Sequence, residues 1–554
     1  GKALFNWLKE MPFVNERHNG WVYHDVVRTQ MLRYKRRLSL KGWSELHGKL
    51  AEYYDNLRNN LQLAEDKIWL DSSWFRYTLE VTYHRLCESP HKYLSGALNE
   101  FLIALKNKRK FAQRFAERIL KAGENADSDE VKRWGEKLVE GLKAYEEKRY
   151  EKSLEMFTAL VEHSDEMKWQ PVALGWRGIT YRNMGNYEYA LKDFDRAIEI
   201  DANYDWALAD RGFTYFLMKR YDDAFKDFNR AIELNPDYKW ALAQRGFTYT
   251  VIKAYDDALS DINRAIEIDP EYISAQVYRG ITYRQMKRYD DGLKELDRAI
   301  ESEPNDKWAI AHRGKTYRKM KRYKDALQDF DRAIEIDPDY KWAIAYRGIV
   351  YREMECYEDA LKDFNRAIEI DSDDKRVITQ RGYTYRWMNR YEEALNDFNR
   401  AIEIDPDSAW PLARRGEYYL IVKQYDEALT DLNRAVELEK DDDWNLYLRA
   451  LAYKALNQPN KAQTDIANAV KLAKPKYDEN PQDWQNTLNL ALYYLAADYI
   501  PTAKQLYELA LSQNALPGYI RMAIRDLDDF LTVFPEHSQA QAMRELLDCK
   551  DGQF

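Results

Sequence analysis

Cysteine is nearly missing: 554 residues hold three, Cys87, Cys356 and Cys549, far apart and odd in number. Such a set builds neither a disulfide framework nor a zinc site, and a reducing, cytoplasmic setting is expected. Long apolar runs are also missing. No stretch approaches the roughly 18–20 apolar residues that cross a bilayer as a helix. The first residues, GKALFNWLKEMPF, lack an apolar core followed by a small-residue cleavage site, so no signal peptide is read there. They also lack an initiator Met; a piece of a longer polypeptide is expected, with a processed terminus the other reading.

Catalytic signatures are absent as well. The eight histidines form no HExxH and no Cys/His cluster, so no metal site is expected. There is no GxSxG elbow. There is no GxxxxGK followed by Ser or Thr, and without that phosphate cradle this chain alone is not expected to hydrolyse ATP. The reading is not an enzyme: no catalytic residues and no cofactor. Net charge is −9 but uneven. Residues 1–133 carry 24 Lys and Arg against 17 Asp and Glu, a net +7; the rest carry 61 against 77, a net −16. That shift marks a domain boundary near Asp127–Trp134, and the acidic remainder disfavours nucleic acid as a partner.

What is present is a period. Gly178, Gly212, Gly246, Gly280, Gly314, Gly348, Gly382 and Gly416 stand 34 residues apart, followed in register by Ala450. One supersecondary unit has been copied, and such a unit buries its apolar face only by stacking on its neighbours. Residues 307–340, KWAIAHRGKTYRKMKRYKDALQDFDRAIEIDPDY, show its design. Ile310, Gly314 and Tyr317 give a helical period, and Tyr323, Ala326, Leu327, Phe330, Ala333 and Ile334 give a second. Met320–Arg322 make the turn, and Asp337-Pro338 ends the second helix, because proline lacks the N–H and clashes with the preceding turn. Small residues (the Ala190 and Ala197 series) alternate with large ones (Tyr181, Phe194 and their equivalents), as interdigitating helices require. An arginine precedes each glycine, from Arg177 to Arg415, and a second series runs from Arg196 to Arg434. Both are read first as inter-repeat ion pairs with the Asp193 series, and second as ligand contacts.

The unit resembles the tetratricopeptide repeat (TPR), with Gly314, Tyr317, Ala326, Phe330, Ala333 and Pro338 at its signature positions. The departure is the family's first-helix Trp, replaced here by Leu208, Leu242, Ile310 or Ile344. The resemblance implies an all-α TPR superhelical solenoid over 134–517. Nine full repeats run 171–476, with degenerate repeats on either side and capping helices over 518–554. The segment WVYHDVVRTQML…WSELHGKLAEYY resembles the winged-helix and helical part of bacterial STAND-type NTPases. That implies a winged-helix-like region at 1–60, in which Gly20–Val27 is a short strand or an entry turn. A helical linker domain follows at 61–133. A helix from about Leu40 to Leu57 presents Trp43, Leu46, His47, Leu50, Tyr53 and Tyr54 on one face. By the same resemblance His24 is a candidate contact to a nucleotide phosphate; a purely structural histidine is the other reading. ATP and Mg would belong to an ATPase module of the full-length parent, which would also carry oligomerisation.

In TPR proteins the first helix of each unit lines the binding face. Carried over by position, the candidate face comprises Trp206, Trp240, Trp308, Trp342 and Trp410 near the helix starts. Tyr278, His312 and Tyr346 follow four residues on, and Phe213, Phe247 and Tyr383 three further. Arg284, Arg318, Arg352 and Arg386 complete it. Spacings of three and four share a helix face, and Trp, Tyr and Arg dominate interaction hot spots. Packing between adjacent units is the competing role for the tryptophans. The arginine row favours an acidic or carboxylate-rich protein segment. Ala209, Ala243, Ala311 and Ala345 stand where the family's clamp for C-terminal carboxylates uses Lys, so chaperone-tail binding is not expected. Two functions remain. One is a trigger-sensing, protein-binding arm of an antiviral STAND-type NTPase, its trigger a protein such as one from a phage; the other is a scaffold with no switching role.

Overall fold

The computed structural model describes residues 14–17, 20–23, 34, 36–64, 68–107, 109–163 and 169–551. They fall into two compact units that divide between Tyr278 and Arg279. His24 lies outside the described residues.

The first unit opens with two antiparallel strands, β1 (Val14–Arg17) and β2 (Gly20–Tyr23), with Val14 opposite Tyr23 and Arg17 opposite Gly20. The strand alternative at Gly20 is thus the one adopted. Helices α1 (Leu40–Asn59), α2 (Ser72–Glu88), α3 (Pro90–Asn107) and α4 (Arg109–Ala126) follow. Ser39 and Asp71 cap α1 and α2 by accepting bonds from the N–H groups of Gly42 and Trp74. The buried stripe of α1 differs from the expected one. Trp43, His47, Gly48 and Ala51 are buried, while Leu46 and Tyr53 are exposed. The reason is the docking onto α2: Trp43 Nε1 donates to the Cys87 carbonyl at 2.9 Å and Ser44 Oγ to that of Glu88 at 2.9 Å. Those bonds rotate the helix toward its small residues.

From here the chain is a run of helical hairpins. In the first unit they are α5 (Asp129–Glu146) with α6 (Tyr150–His163), α7 (Gln170–Asn183) with α8 (Tyr187–Ile200), α9 (Asp205–Leu217) with α10 (Tyr221–Leu234), and α11 (Lys239–Val251) with α12 (Tyr255–Ile268). Helix α13 (Ile273–Gln285) contains the division between units. The second unit continues with α14 (Tyr289–Ser302), α15 (Lys307–Lys319), α16 (Tyr323–Ile336), α17 (Lys341–Glu353), α18 (Tyr357–Ile370), α19 (Lys375–Trp387) and α20 (Tyr391–Ile404). Then come α21 (Ala409–Ile421), α22 (Tyr425–Leu438), α23 (Asp443–Ala455), α24 (Pro459–Glu479), α25 (Trp484–Ala496), α26 (Ile500–Ser512), α27 (Pro517–Val533) and α28 (Ser538–Asp551).

Each hairpin closes as the spacing predicts. A Cβ on Gly314 would lie 3.1 Å from Asp329 Cβ and 3.2 Å from the Phe330 ring, so the small residue sets the approach of α15 and α16. Phe194, Phe228, Phe330, Phe364 and Phe398 are fully buried beside it, each contributing about 1.5–3 kcal/mol by removal from water. The turns repeat too. Lys219, Lys253, Lys287, Lys321, Glu355, Asn389, Lys423 and Asn457 all hold φ between 56° and 68°, and Gly185 holds 80°.

The first arginine series forms a ladder. Arg313 Nη2 and Nε donate to the two carboxylate oxygens of Asp329 at 2.6 and 2.9 Å, while Nη1 reaches Asp297 of the preceding hairpin at 2.7 Å. Arg211 and Arg347 repeat the pattern with Asp227 and Asp195, and with Asp363 and Asp331. The Asp193 series therefore pairs within a hairpin. The bond between hairpins goes to a different residue, two positions after that carboxylate's equivalent in the preceding unit. The second series makes local pairs, as Arg196 does with Glu199, and also reaches back to the preceding hairpin, as Arg264 does to Asp237 at 2.9 Å and Arg434 to Asp407 at 2.6 Å; these members are exposed, so each pair adds little.

Two elements depart from the repeat. Helix α24 runs through Pro475 to Glu479, beyond the expected end at Lys476. Helix α27 lies against the first helices of earlier hairpins of its unit. Arg525 pairs with Glu355 and Asp529 with Arg386, and the Tyr519 ring lies 4.7 Å from Lys321 Nζ.

Candidate partner-binding face

The face is built by the first helix of each hairpin. In the first unit its aromatic residues pack on one another. Trp206 lies 5.7 Å from Trp176, and a Cβ on Gly175 would fall 2.4 Å from its ring. Trp240 meets Phe213 edge-on at 5.9 Å. Phe247 stacks on Tyr278 at 4.4 Å, and Tyr278 exchanges hydrogen bonds with Gln244. These residues are half-buried except Tyr278, which is buried. They fill the seams between successive first helices.

In the second unit the face keeps most of its aromatic residues and gains charge at Lys315, Arg376, Arg414 and Glu417. His312 lies between Trp308 and Trp342, 5.0 and 4.9 Å away, and Trp342 packs on Tyr346 at 4.3 Å. Trp308, Trp342 and Trp410 are half-buried. The arginines reach forward 28 residues into the next hairpin, and the partner changes each time. Arg182, in the first unit, finds a carboxylate: its Nη1 lies 2.6 Å from Asp210 Oδ1. Arg284 finds the Nδ1 and carbonyl oxygen of His312, both at 3.3 Å. Arg318 lies over the Tyr346 ring at 5.8 Å and pairs sideways with Glu353. Arg352 donates to the Gln380 amide oxygen and lies 5.0 Å over Tyr383. Burial without a carboxylate lowers Arg284 to about 10 and also pulls Arg352 below its ordinary value.

Arg386 ends the row differently. Its side chain is 3 % exposed, and it pairs with Glu417 at 3.1 Å and with Asp529 of α27. Arg414 completes the group, 2.5 Å from Glu417. Burial and the neighbouring carboxylates push Asp526 well above the usual carboxylate range and raise Asp529 as well. One end of the row therefore already holds a carboxylate, Asp529, supplied by the chain itself.

Three more cations belong to this face, of which Lys315 and Arg376 stand in the registers of Phe213 and Trp206. Lys315 Nζ lies 4.5 Å from the Tyr346 ring centre and 5.5 Å from that of Trp342. Lys319 and Arg376 are exposed beside it. A signal for Lys315 existed: its register position is otherwise held by Phe213, Phe247, Ile281, Ile349 and Tyr383, with Glu417 the other charged occupant. Docking of α27 had no such signal, because it depends on contacts 143 and 170 residues apart in sequence.

Among the described residues no cluster of His, Cys, Asp and Glu could hold a metal ion, and no helix is long and apolar enough to cross a membrane. The tetratricopeptide repeat model matches residues 171–204, 206–238, 308–340, 342–374 and 376–408, and a second model of that repeat matches 398–430. Such repeats serve as scaffolds that bind proteins or peptides, and no enzyme family is matched. No curated protein matches the sequence. Similar solved structures include a tetratricopeptide repeat protein from Parabacteroides merdae, at 19 % identity over 45 % of this chain and 98 % of that one, TM-score 0.39. Pseudomonas aeruginosa pilF is 17 % identical over 40 % and 96 %, TM-score 0.33. The human IFIT1 dimer with PPP-AAAA is 16 % identical over 69 % and 94 %, TM-score 0.43. The helical hairpins within residues 171–204, 206–238 and 308–430 are tetratricopeptide repeats.

Proposed function

We propose that this chain is a protein-binding repeat arm whose second unit reads an acidic partner segment on the face formed by α13, α15, α17 and α19. The observation that carries the reading is the change of partner along the arginine row. Arg182 is neutralised by Asp210, whereas Arg284 meets His312 and Arg352 meets Gln380 and the Tyr383 ring, with no carboxylate in ion-pair contact with either. Desolvated guanidinium groups without a counter-charge favour a ligand that brings one. The candidate residues Trp308, Trp342, Tyr346 and Tyr383 frame those charges and supply apolar contact. The remaining candidates, Trp206, Phe213, Trp240, Phe247 and Tyr278, sit in seams of the first unit and act in this reading as supports.

The finer reading, a trigger-sensing arm of a cytoplasmic STAND-type NTPase with a foreign protein as trigger, rests on the resemblance of residues 21–54. It is tested at the genetic locus: a phosphate-binding loop encoded upstream supports it, and a continuous upstream frame without one removes it. The protein-binding reading is tested by in-cell cross-linking of the full chain against Lys319→Glu/Arg376→Glu, a reversal of two exposed cations. A discrete set of proteins lost from the variant is expected. An identical set for both chains overturns the reading.

A further inference from the structure

The cations around Lys315 are the least compensated group of charges on this face. Among the described residues Lys315, Lys319 and Arg376 have no carboxylate within ion-pair distance, and the same holds for Arg284 and Arg352. Glu353 is the carboxylate nearby, and it serves Arg318 and Lys321. Elsewhere in the repeats half-buried arginines are neutralised, with two carboxylates for each of Arg211, Arg313 and Arg347. The exception is thus local. Helix α27 shows what the neighbouring stretch of the same face takes: Asp529 reaches Arg386, one 34-residue step along the register from Arg352.

We propose that Lys315, with Arg284, Arg318, Lys319 and Arg376 around it, forms an anion subsite that takes the side-chain carboxylates of an acidic peptide segment. This inference rests on the protein-binding reading above and adds where the acidic segment is gripped. Trp342 and Tyr346 hold the ammonium group by cation–π contact in the free chain. A carboxylate arriving there gains charge-assisted hydrogen bonds from several donors at once.

Binding carries a proton signature. The groups that act most strongly on Lys315 are Arg284 from α13, Arg318 and Lys319 from its own helix, and Arg376 from α19. His312 lies one turn away and is held neutral by burial and by Arg284, and Tyr346 faces it from α17. Burial first, then those cations, lower Lys315 to about 7. A bound carboxylate raises it back toward its ordinary value. Above pH 7 Lys315 of the free site is mostly uncharged while the surrounding arginines keep their charge, so binding that charges Lys315 takes up a proton there. At pH 6 it is already charged, and binding takes up none. Affinity therefore falls as pH rises through 7, by up to about tenfold per unit.

The test is calorimetric titration of the full chain with hexaglutamate, at pH 6 and pH 8.5, in two buffers of different ionisation heat. Expected are binding at both values, close to one proton taken up at pH 8.5, and almost none at pH 6. Lys315→Met should weaken binding by about tenfold or more and abolish the uptake. Lys315→Arg, which keeps the charge without titrating, should bind without uptake and guards against a misfolded Met variant. Absence of hexaglutamate binding overturns the proposal, as do equal affinity for Lys315→Met and uptake retained in Lys315→Arg. Binding of inorganic pyrophosphate or poly(A) in place of hexaglutamate also overturns it, since the site would then read phosphate. A chain that ignores hexaglutamate yet still loses partners on Lys319→Glu/Arg376→Glu overturns this subsite alone.

Discussion

Replacing Arg386 by Met should release helix α27 while leaving the hairpins folded. Arg386 and Glu417 have side chains 3 % and 5 % exposed, and Asp529 joins them from α27. Removing the guanidinium leaves Glu417, Asp526 and Asp529 facing Arg414 alone. Breaking a buried pair by deleting one partner costs about 3–5 kcal/mol, because the surviving charge stays desolvated. Such a loss falls on α27, which the cluster fastens, and less on α19, whose hairpin is closed by Phe398 and by the pair between Arg381 and Asp397. Amide exchange across Pro517–Val533 should rise by roughly a hundredfold or more, at about 1.4 kcal/mol per tenfold. Exchange in α19 and α20 should hardly change. Adding Asp529→Asn should restore part of the protection, since it removes one of the stranded carboxylates. Asp526 and Asp529 are shifted upward, so acid protonates them early and the gap between wild type and variant should narrow as pH falls. Unchanged exchange of α27 in Arg386→Met would refute the reasoning, because the cluster would then not fasten the helix.

Three other outcomes are expected. Gly135→Ala should destabilise the first unit by at least about 1–3 kcal/mol, because the new Cβ would fall 2.3 Å from Leu120 Cα, where only backbone can yield. Gly96→Ala, with no atom within 4 Å of its Cβ, should instead gain about 0.5–1 kcal/mol of helix stability; urea melts of both variants check the pair. His47, in hydrogen-bond contact with His84 at 2.7 Å, is lowered by burial to about 4 from 6.5. Its folded pKa is depressed, so the fold keeps it neutral. Stability is complete above pH 6.5 and falls toward pH 4, by up to about 3 kcal/mol at 1.4 per unit, and His47→Gln should flatten that slope in unfolding curves.

The repeat was legible because one pattern recurs with its small, large and turn residues in fixed places. Gly314 against Phe330 and Tyr323 after the Met320–Arg322 turn follow directly from spacing. The arginine ladder was legible as pairing, although the bond between hairpins needed coordinates, because Asp193 and Asp195 lie two residues apart and face different helices. The stripe of α1 was misjudged. Apolarity alone favoured Leu46 and Tyr53, whereas hydrogen bonds from Trp43 and Ser44 to the end of α2 set the rotation. On the candidate face, sequence could place Arg284, Arg318 and Arg352 on one side of their helices. It could not tell which were neutralised, since that depends on what stands 28 residues later and how it points. Helix α27 was read as a cap because nothing local announces Asp529 as a partner of Arg386.

The most direct test of the central claim places a photo-crosslinking amino acid at position 319 or 376, on the first-helix face, or at 196 or 230, on the exposed second-helix ladder. The account predicts partner adducts from 319 and 376 and none from 196 and 230. Adducts from the ladder positions, with the first-helix face silent, would contradict it.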